Sequence, residues 1–419
     1  MNVFIALNLL LFANLYTVVP SDTVSLQQLH DMATKQWPMS AESQRTVQVN
    51  DLKMDQLVTV WLPEIHLNAT AQYHSEVTAI PFAVPGFSIP SQPHERFSVS
   101  LDMQQVIWDG GMSRGQKDLL QKSMTADQSR ISAEVYQIKD QVNEVFFSIL
   151  ILNYRLESMY LLDAELSERI SQLEIRSTAG VVLTTQVDLI KLEQLRIRQS
   201  TVELVRLRNQ AYNILAILTG YDFSGNEVLI AEEIPQTQQR PELQYLSDQQ
   251  ELLRAKQHML NATRMPRISA FGQLSVGRPG PDIFNDEIRP FYVVGVQGRW
   301  RVWDWGNTRR EKQIIDLNIK TINDQKGIFL QAQSIKDATL RSRISAIQDQ
   351  LSLDDEIIEM RSKVLNTYEN QLLHGTITST EYLIEFNATH QAKLHQKIRQ
   401  VDLLKHTTLL KTLNYNPEN

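Results

Sequence analysis

One passage of this chain is written twice, and the repeat constrains the fold more than any other feature, because both halves must build the same unit. VIWDGGMSRG at 106–115 returns as RVWDWGNTRR at 301–310, an offset of 195 within 419 residues. Trp108-Asp109 matches Trp303-Asp304, and Gly180 matches Gly375 at the same offset. Upstream, Leu62-Pro63 matches Met265-Pro266 and Trp37-Pro38 matches Arg240-Pro241, at an offset of 203. Each copy reads as strand, strand, then a very long helix. A duplication without a catalytic signature points to a function of shape.

Four segments alternate with period two, which puts apolar side chains on one face of a strand and polar ones on the other. In 65–73, Ile65, Leu67, Ala69, Ala71 and Tyr73 alternate with His66, Asn68, Thr70 and Gln72. In 97–104, Phe97, Val99, Leu101 and Met103 alternate with Ser98, Ser100, Asp102 and Gln104. The second copy offers 268–276, where Phe271-Gly272 breaks the pattern, and 292–302. These lengths approach the roughly nine to eleven residues that a tilted strand needs to cross a bilayer. Aromatic residues at the segment ends (Tyr73, Phe97, Trp108, Tyr292, Trp300, Trp303) fit membrane girdles. Four strands cannot close a barrel, and open edges in lipid are prohibitive, so a membrane reading requires several chains. A soluble sheet with one wet face shares the alternation. Residues 74–96 and 277–289 carry clustered Pro and Gly and read as loops.

From Met112 to Ser177 only Gly115 interrupts an otherwise breaker-free run. Ile131, Val135, Ile138, Val142, Val145, Ile149, Leu152, Leu156 and Met159 step by four and three, a heptad seam. At 1.5 Å per residue, 112–178 spans about 100 Å. A second such run covers 307–373 with a weaker seam, where Asp354 and Arg361 fall at core-like steps. Gly180 and Gly375 follow the last turns as left-handed stops. Return helices are expected over 184–219 and about 380–411, and shorter helices near 25–60 and 241–263. Asp354-Asp355-Glu356 reads as a solvated helix face. A coiled-coil scaffold would explain the helices and leave the strands unexplained.

Residues 1–21 are apolar from Val3 to Val19 and read as a signal peptide, although no Lys or Arg precedes the apolar run. No other stretch is read as a transmembrane helix. The net charge of −7 argues against a nucleic-acid partner. The absence of cysteine removes disulfides, thiol catalysis and cysteine metal sites. No P-loop, His-x-x-x-His pair or Gly-x-Ser-x-Gly elbow occurs, so no catalytic, cofactor or metal residues are assigned and an enzyme is not expected. Asp109 and Asp304 read as helix caps at the strand-to-helix turns.

The Leu62-Pro63 junction, the turns Trp108-Asp109-Gly110-Gly111 and Trp303-Asp304-Trp305-Gly306, and the tips Gly180-Val181-Val182 and Gly375-Thr376-Ile377 together resemble the TolC-like outer membrane factor family. The resemblance covers nearly all of the chain after residue 21. It implies a mixed α/β membrane protein: a homotrimer whose four strands per chain make a twelve-stranded outer-membrane barrel. A long α-helical coiled-coil barrel would continue it through the periplasm of a Gram-negative bacterium. The implied plan is a first repeat over 22–219, an equatorial linker over 220–240, a second repeat over 241–411 and a tail over 412–419. The implied partners are outer-membrane lipid, a periplasmic adaptor docking on the tips and an inner-membrane efflux transporter, with no cofactor. The implied function is a passive exit duct for small molecules, or the corresponding duct of type I protein secretion. The family pattern places a hydroxyl residue three after the tip glycine and an acid six after it. The second copy keeps both, as Thr378 and Glu381, while the first has Leu183 and Gln186, with its acid at Asp188. Asp188 and Glu381 are thereby expected at a periplasmic gate; the alternative reading is that both are first-turn acids that favour a helix N-terminus.

Overall fold

The structure is a computed structural model that describes residues 23–77, 93–225, 227–231, 240–278, 280 and 287–413. The expected signal segment, Pro81, Pro85, Gly86, Pro90, Pro279, Pro281 and residues 414–419 lie outside the described residues. The elements run β1 (Thr23–Ser25), α1 (Leu26–Gln36), α2 (Pro38–Thr59), β2 (Glu64–Tyr73), β3 (Glu95–Trp108), α3 (Met112–Thr178), α4 (Thr184–Thr219), β4 (Val228–Ile230), α5 (Pro241–Ala262), β5 (Arg267–Arg278), β6 (Arg289–Arg299), α6 (Asn307–Leu373) and α7 (Ser379–Leu413). The repeat is structural. Pro38 and Pro241 both open a helix, where a missing amide costs nothing. Pro63 and Pro266 both sit directly before a strand.

Contacts divide the chain into two units. One, formed by 39–134 and 239–332, holds an antiparallel sheet in the order β2-β3-β5-β6. Its register aligns the apolar positions across all four strands: Leu67 opposite Leu101, Leu101 opposite Leu274, and Leu274 opposite Tyr292. The opposite face carries Asn68, Ser100, Asp102, Gln273 and Ser275. On the apolar face Leu67, Tyr292 and Val294 are more than 70% exposed, so no described residue covers it. Among the described residues the outer edges of β2 and β6 are unpaired.

The other unit, formed by 1–38, 135–238 and 333–419, is helical. Its first core joins Leu26 and Leu29 of α1, Phe146, Phe147 and Ile149 of α3, Leu215 of α4 and Leu229 of β4. A second core joins Leu166, Ile170 and Leu173 of α3, Ile190 of α4, Leu372 of α6, and Tyr382 and Phe386 of α7. The seam of α3 is buried at Ile131, Ile138, Val142, Ile149, Leu152 and Leu156, as the heptads require.

Several expectations need correction. The helix expected over 25–60 is two helices, because Pro38 breaks it after Trp37. The linker over 220–240 contains β4, which pairs in parallel with β1. Phe271-Gly272 does not interrupt the sheet: the ladder is continuous, and Phe271 lies opposite Gly295, where a Cβ would stand 2.8 Å from the ring. Strand β6 ends at Arg299, so Trp300 and Val302 lie beyond it, whereas β5 takes in Gly277 and Arg278. Helix α3 is, by length and composition, apolar enough to cross a membrane. Its apolar residues are used in packing: Phe146, Phe147 and Ile149 are fully buried. Asp354 is not on a solvated face. It is buried and bonded by Arg399, whose Nη1 lies 2.6 Å from Oδ2, and Asp355 accepts from Gln396 at 2.6 Å. Arg361 pairs with Glu385 at 3.1 Å. Ion pairs to α7 thus fill the two steps where the second seam lacks apolar residues.

Candidate functional site

The strand-to-helix turns come first. The Gly111 amide donates to Asp109 Oδ1 (2.9 Å) and the Ser113 amide to Oδ2 (2.6 Å). In the second copy the Gly306 amide donates to Asp304 Oδ1 (3.0 Å), while the Thr308 amide (3.0 Å) and hydroxyl (2.5 Å) donate to Oδ2. Both carboxylates therefore cap orphan amides of a first helical turn, as expected. The Thr308 hydroxyl and amide hold the Asp304 carboxyl down at about 2. Burial pushes Asp109 up, but the Ser113 and Gly111 bonds outweigh it and leave it below the usual range. Gly110 (φ +69°) and Gly111 (φ +88°) make the first turn, and Trp305 (φ +55°) and Gly306 (φ +73°) the second.

A β-bulge between Val106 and Trp108 shifts the parity of β3 and sets Trp108 opposite Ile268, on the apolar face. Trp61, Trp108, Trp300, Trp303 and Trp305 are all at least 40% exposed at or beside these turns. The sheet's other end carries Tyr73 and Phe97. Tyr292, expected at a strand end, instead lies opposite Leu274 in the middle of the sheet.

At the helical tips, the two copies are capped identically. The Val181 amide donates to Arg176 O (3.0 Å) and Gly180 to Ser177 O (3.0 Å). The Thr376 amide donates to Gln371 O (2.9 Å) and Gly375 to Leu372 O (3.0 Å). Both are Schellman motifs around a left-handed glycine, Gly180 at φ +72° and Gly375 at φ +69°. Val182 and Ile377 pack on the second core, while Val181 and Thr376 face solvent. The tips touch: a Cβ on Gly375 would stand 3.2 Å from Val181 O.

The entries into the return helices differ. Thr378 and Glu381 form a capping box: Glu381 Oε2 accepts from the Thr378 amide (2.8 Å) and hydroxyl (2.9 Å), and Thr378 Oγ1 accepts from the Glu381 amide (3.2 Å). Those bonds, the amide's first, hold the Glu381 carboxyl below its usual range. Leu183 provides no side-chain cap for α4. Gln186, in the place of Glu381, instead accepts from the Ser379 amide at 2.5 Å, across to the other tip. Asp188 is exposed on the first turns of α4.

Four further residues, Arg169, Glu369, Tyr382 and Arg176, tie the two hairpins and were not singled out in the sequence. Arg169 lies 2.8 Å from Glu369 and stacks over the Tyr382 ring at 5.5 Å. Burial pushes the Tyr382 hydroxyl up to about 12. Arg176 donates to Leu373 O. One signal was present: Glu369 is the counterpart of Glu174, which pairs with Lys191 of its own hairpin at 2.6 Å. His390 of α7 is buried, with Nε2 2.8 Å from Glu165.

No family model matches the sequence, nor does any curated protein match it. Solved structures do match in fold. The outer-membrane channel OprN matches with a TM-score of 0.69 at 14% identity, covering 93% of this chain and 90% of that one. The Campylobacter jejuni outer membrane channel CmeC matches at 0.65 and 13%, covering 93% and 84%. The Neisseria gonorrhoeae outer membrane channel MtrE, in its open state, matches at 0.62 and 13%, covering 93% and 89%. This chain therefore has the fold of the outer membrane channels, the fold to which its sequence resemblance pointed.

Proposed function

We propose that this protein is a passive outer-membrane exit duct of a tripartite efflux system. The observation that carries it is the sheet: among the described residues it has an uncovered apolar face, a polar face behind it and two unpaired edges. In lipid those edges must pair, and a second and third copy supply the partners. Three copies give twelve strands, with the apolar face outward. An unpartnered heptad seam on α6 (Leu353, Ile357, Met360 and Val364, all exposed) supports helix pairing between copies as well. The tips at Gly180 and Gly375 would lie in the periplasm and receive the adaptor, which connects to an inner-membrane transporter. Small molecules are the proposed cargo. Asp188 and Glu381 would ring the periplasmic mouth by three-fold symmetry and favour cations there.

The test is purification in mild detergent followed by planar-bilayer recording. The proposal expects a particle of three chains and a steady conductance. A monodisperse monomer, soluble without detergent and silent in bilayers, would overturn it. Glu381→Gln removes three charges from the trimer and should lower cation preference. Unchanged selectivity in Glu381→Gln combined with Asp188→Asn would leave Glu381 as a helix cap only.

A further inference from the structure

At the base of the sheet, next to the strand-to-helix turns, three arginines have no counter-charge. Arg267 and Arg299 are directly opposite each other in the β5–β6 ladder. Both fall on the polar face, in step with Ser269, Gln273 and Gln297. Like charges directly opposite across a sheet destabilise it. The side chains of these two arginines, and of Arg301 just beyond β6, make no hydrogen bond or ion pair among the described residues. The three converge on two adjoining cavities of about 400 and 410 Å³, both lined by Arg267 and Arg299, the second also by Arg301. Two carboxylates border these cavities. Asp109 is committed to the Gly111 and Ser113 amides, and Glu64 lies 3.8 Å from His66 on its own strand. Neither forms an ion pair with the arginines among the described residues.

We infer that Arg267, Arg299 and Arg301 form a binding station for oxyanions, where cargo bearing a carboxylate, phosphate or sulfonate pauses in the duct. The inference rests on the duct reading, because that reading turns the polar face toward the lumen. Guanidinium forks match planar and tetrahedral oxyanions with paired N–H donors, which separates this station from a general basic surface. An anion between Arg267 and Arg299 also offsets the repulsion that the ladder register imposes. Three copies would place nine guanidiniums at the base of the barrel.

The experiment records the reconstituted wild-type trimer and the Arg267→Gln/Arg299→Gln/Arg301→Gln variant under a salt gradient. Inorganic phosphate and acetate are added in separate arms. The wild type should show phosphate-dependent current block, and the variant should need at least tenfold more phosphate while shifting its reversal potential toward cations. The corresponding Lys variant should keep the reversal potential and lose the block, because it keeps charge without the fork. Equal block and equal reversal potential in wild type and Gln variant would overturn the inference while conductance upholds the duct. If the block tracks anionic lipid in the bilayer and not phosphate in solution, the arginines serve headgroups, and the inference is again overturned. A wild type that never conducts overturns the duct reading and this one with it. In detergent, phosphate should raise the melting temperature of the wild type and not of the Gln variant, which reads binding without conductance.

Discussion

Trp305 stands where the first copy has Gly110, with φ at +55°. A left-handed backbone costs a bulky residue about 1–2 kcal/mol, so Trp305→Gly should relieve the turn and raise thermal stability by about 1 kcal/mol in detergent melts. Gly110→Ala should do the reverse and cost more, because the new Cβ would lie 2.5 Å from Met265 Cβ on top of the φ penalty. Equal melting temperatures for wild type and both variants would contradict this account of the turns. Asp304 adds a pH dependence. Its folded value of about 2 is below the ordinary 3.8, so its contribution is complete above the ordinary aspartate range and fades as pH falls toward 2. Asp304→Ala should flatten that part of an acid-unfolding curve and leave the neutral-pH side of its shape unchanged. Both caps were legible in the sequence, because Trp-Asp recurs at a fixed offset just before each long helix. The left-handed Trp305 was not, since residue type argues against that conformation and only the repeat hints at it.

Among the elements, the long helices follow from the absence of breakers, and α3, α4 and α6 begin and end where Gly110-Gly111, Gly180 and Gly375 allow. What the sequence could not show is which charges meet between helices. Asp354 and Arg361 look like faults in a heptad seam, yet each meets an opposite charge on α7, about 25 to 45 residues away along the chain. Arg169 is a similar case. It joins the two hairpins through Glu369 and Tyr382, and spacing within one helix contains no trace of that contact. Replacing Arg169 with Ala leaves Glu369 without its partner in a partly buried site, a loss of about 1–3 kcal/mol. Hydrogen exchange should then rise at the ends of α3, α4, α6 and α7 before it rises in the first core. Exchange that increases uniformly, or only around Phe146 and Phe147, would argue that the two hairpins are held by their apolar packing alone. Gly180→Pro and Gly375→Pro should each unmake a tip, because proline cannot adopt the positive φ of the Schellman turn. Insertion should persist while adaptor cross-linking and drug resistance are lost. Retention of both in the two variants would move the docking site elsewhere.

For the whole molecule, the alternation of four strands was enough to forecast a sheet with one apolar face, and the register aligns its apolar positions across all four strands. The β1–β4 pair was not legible: two strands of three residues carry no periodicity, and their pairing is set by the core around Leu29 and Leu229. Under the duct reading, the edges of β2 and β6 left unpaired among the described residues call for closure by further copies, β2 of one against β6 of the next. The absence of cysteine makes that closure directly measurable. One cysteine replaces Leu67 on β2, and a second replaces Tyr292, Val294 or Val296 in turn on β6, all exposed on the apolar face. Oxidation in detergent or membranes should, in at least one register, join chains into covalent dimers and a closed ring of three, with nothing larger. Monomers in every register, or a ladder that runs past three, would contradict the barrel.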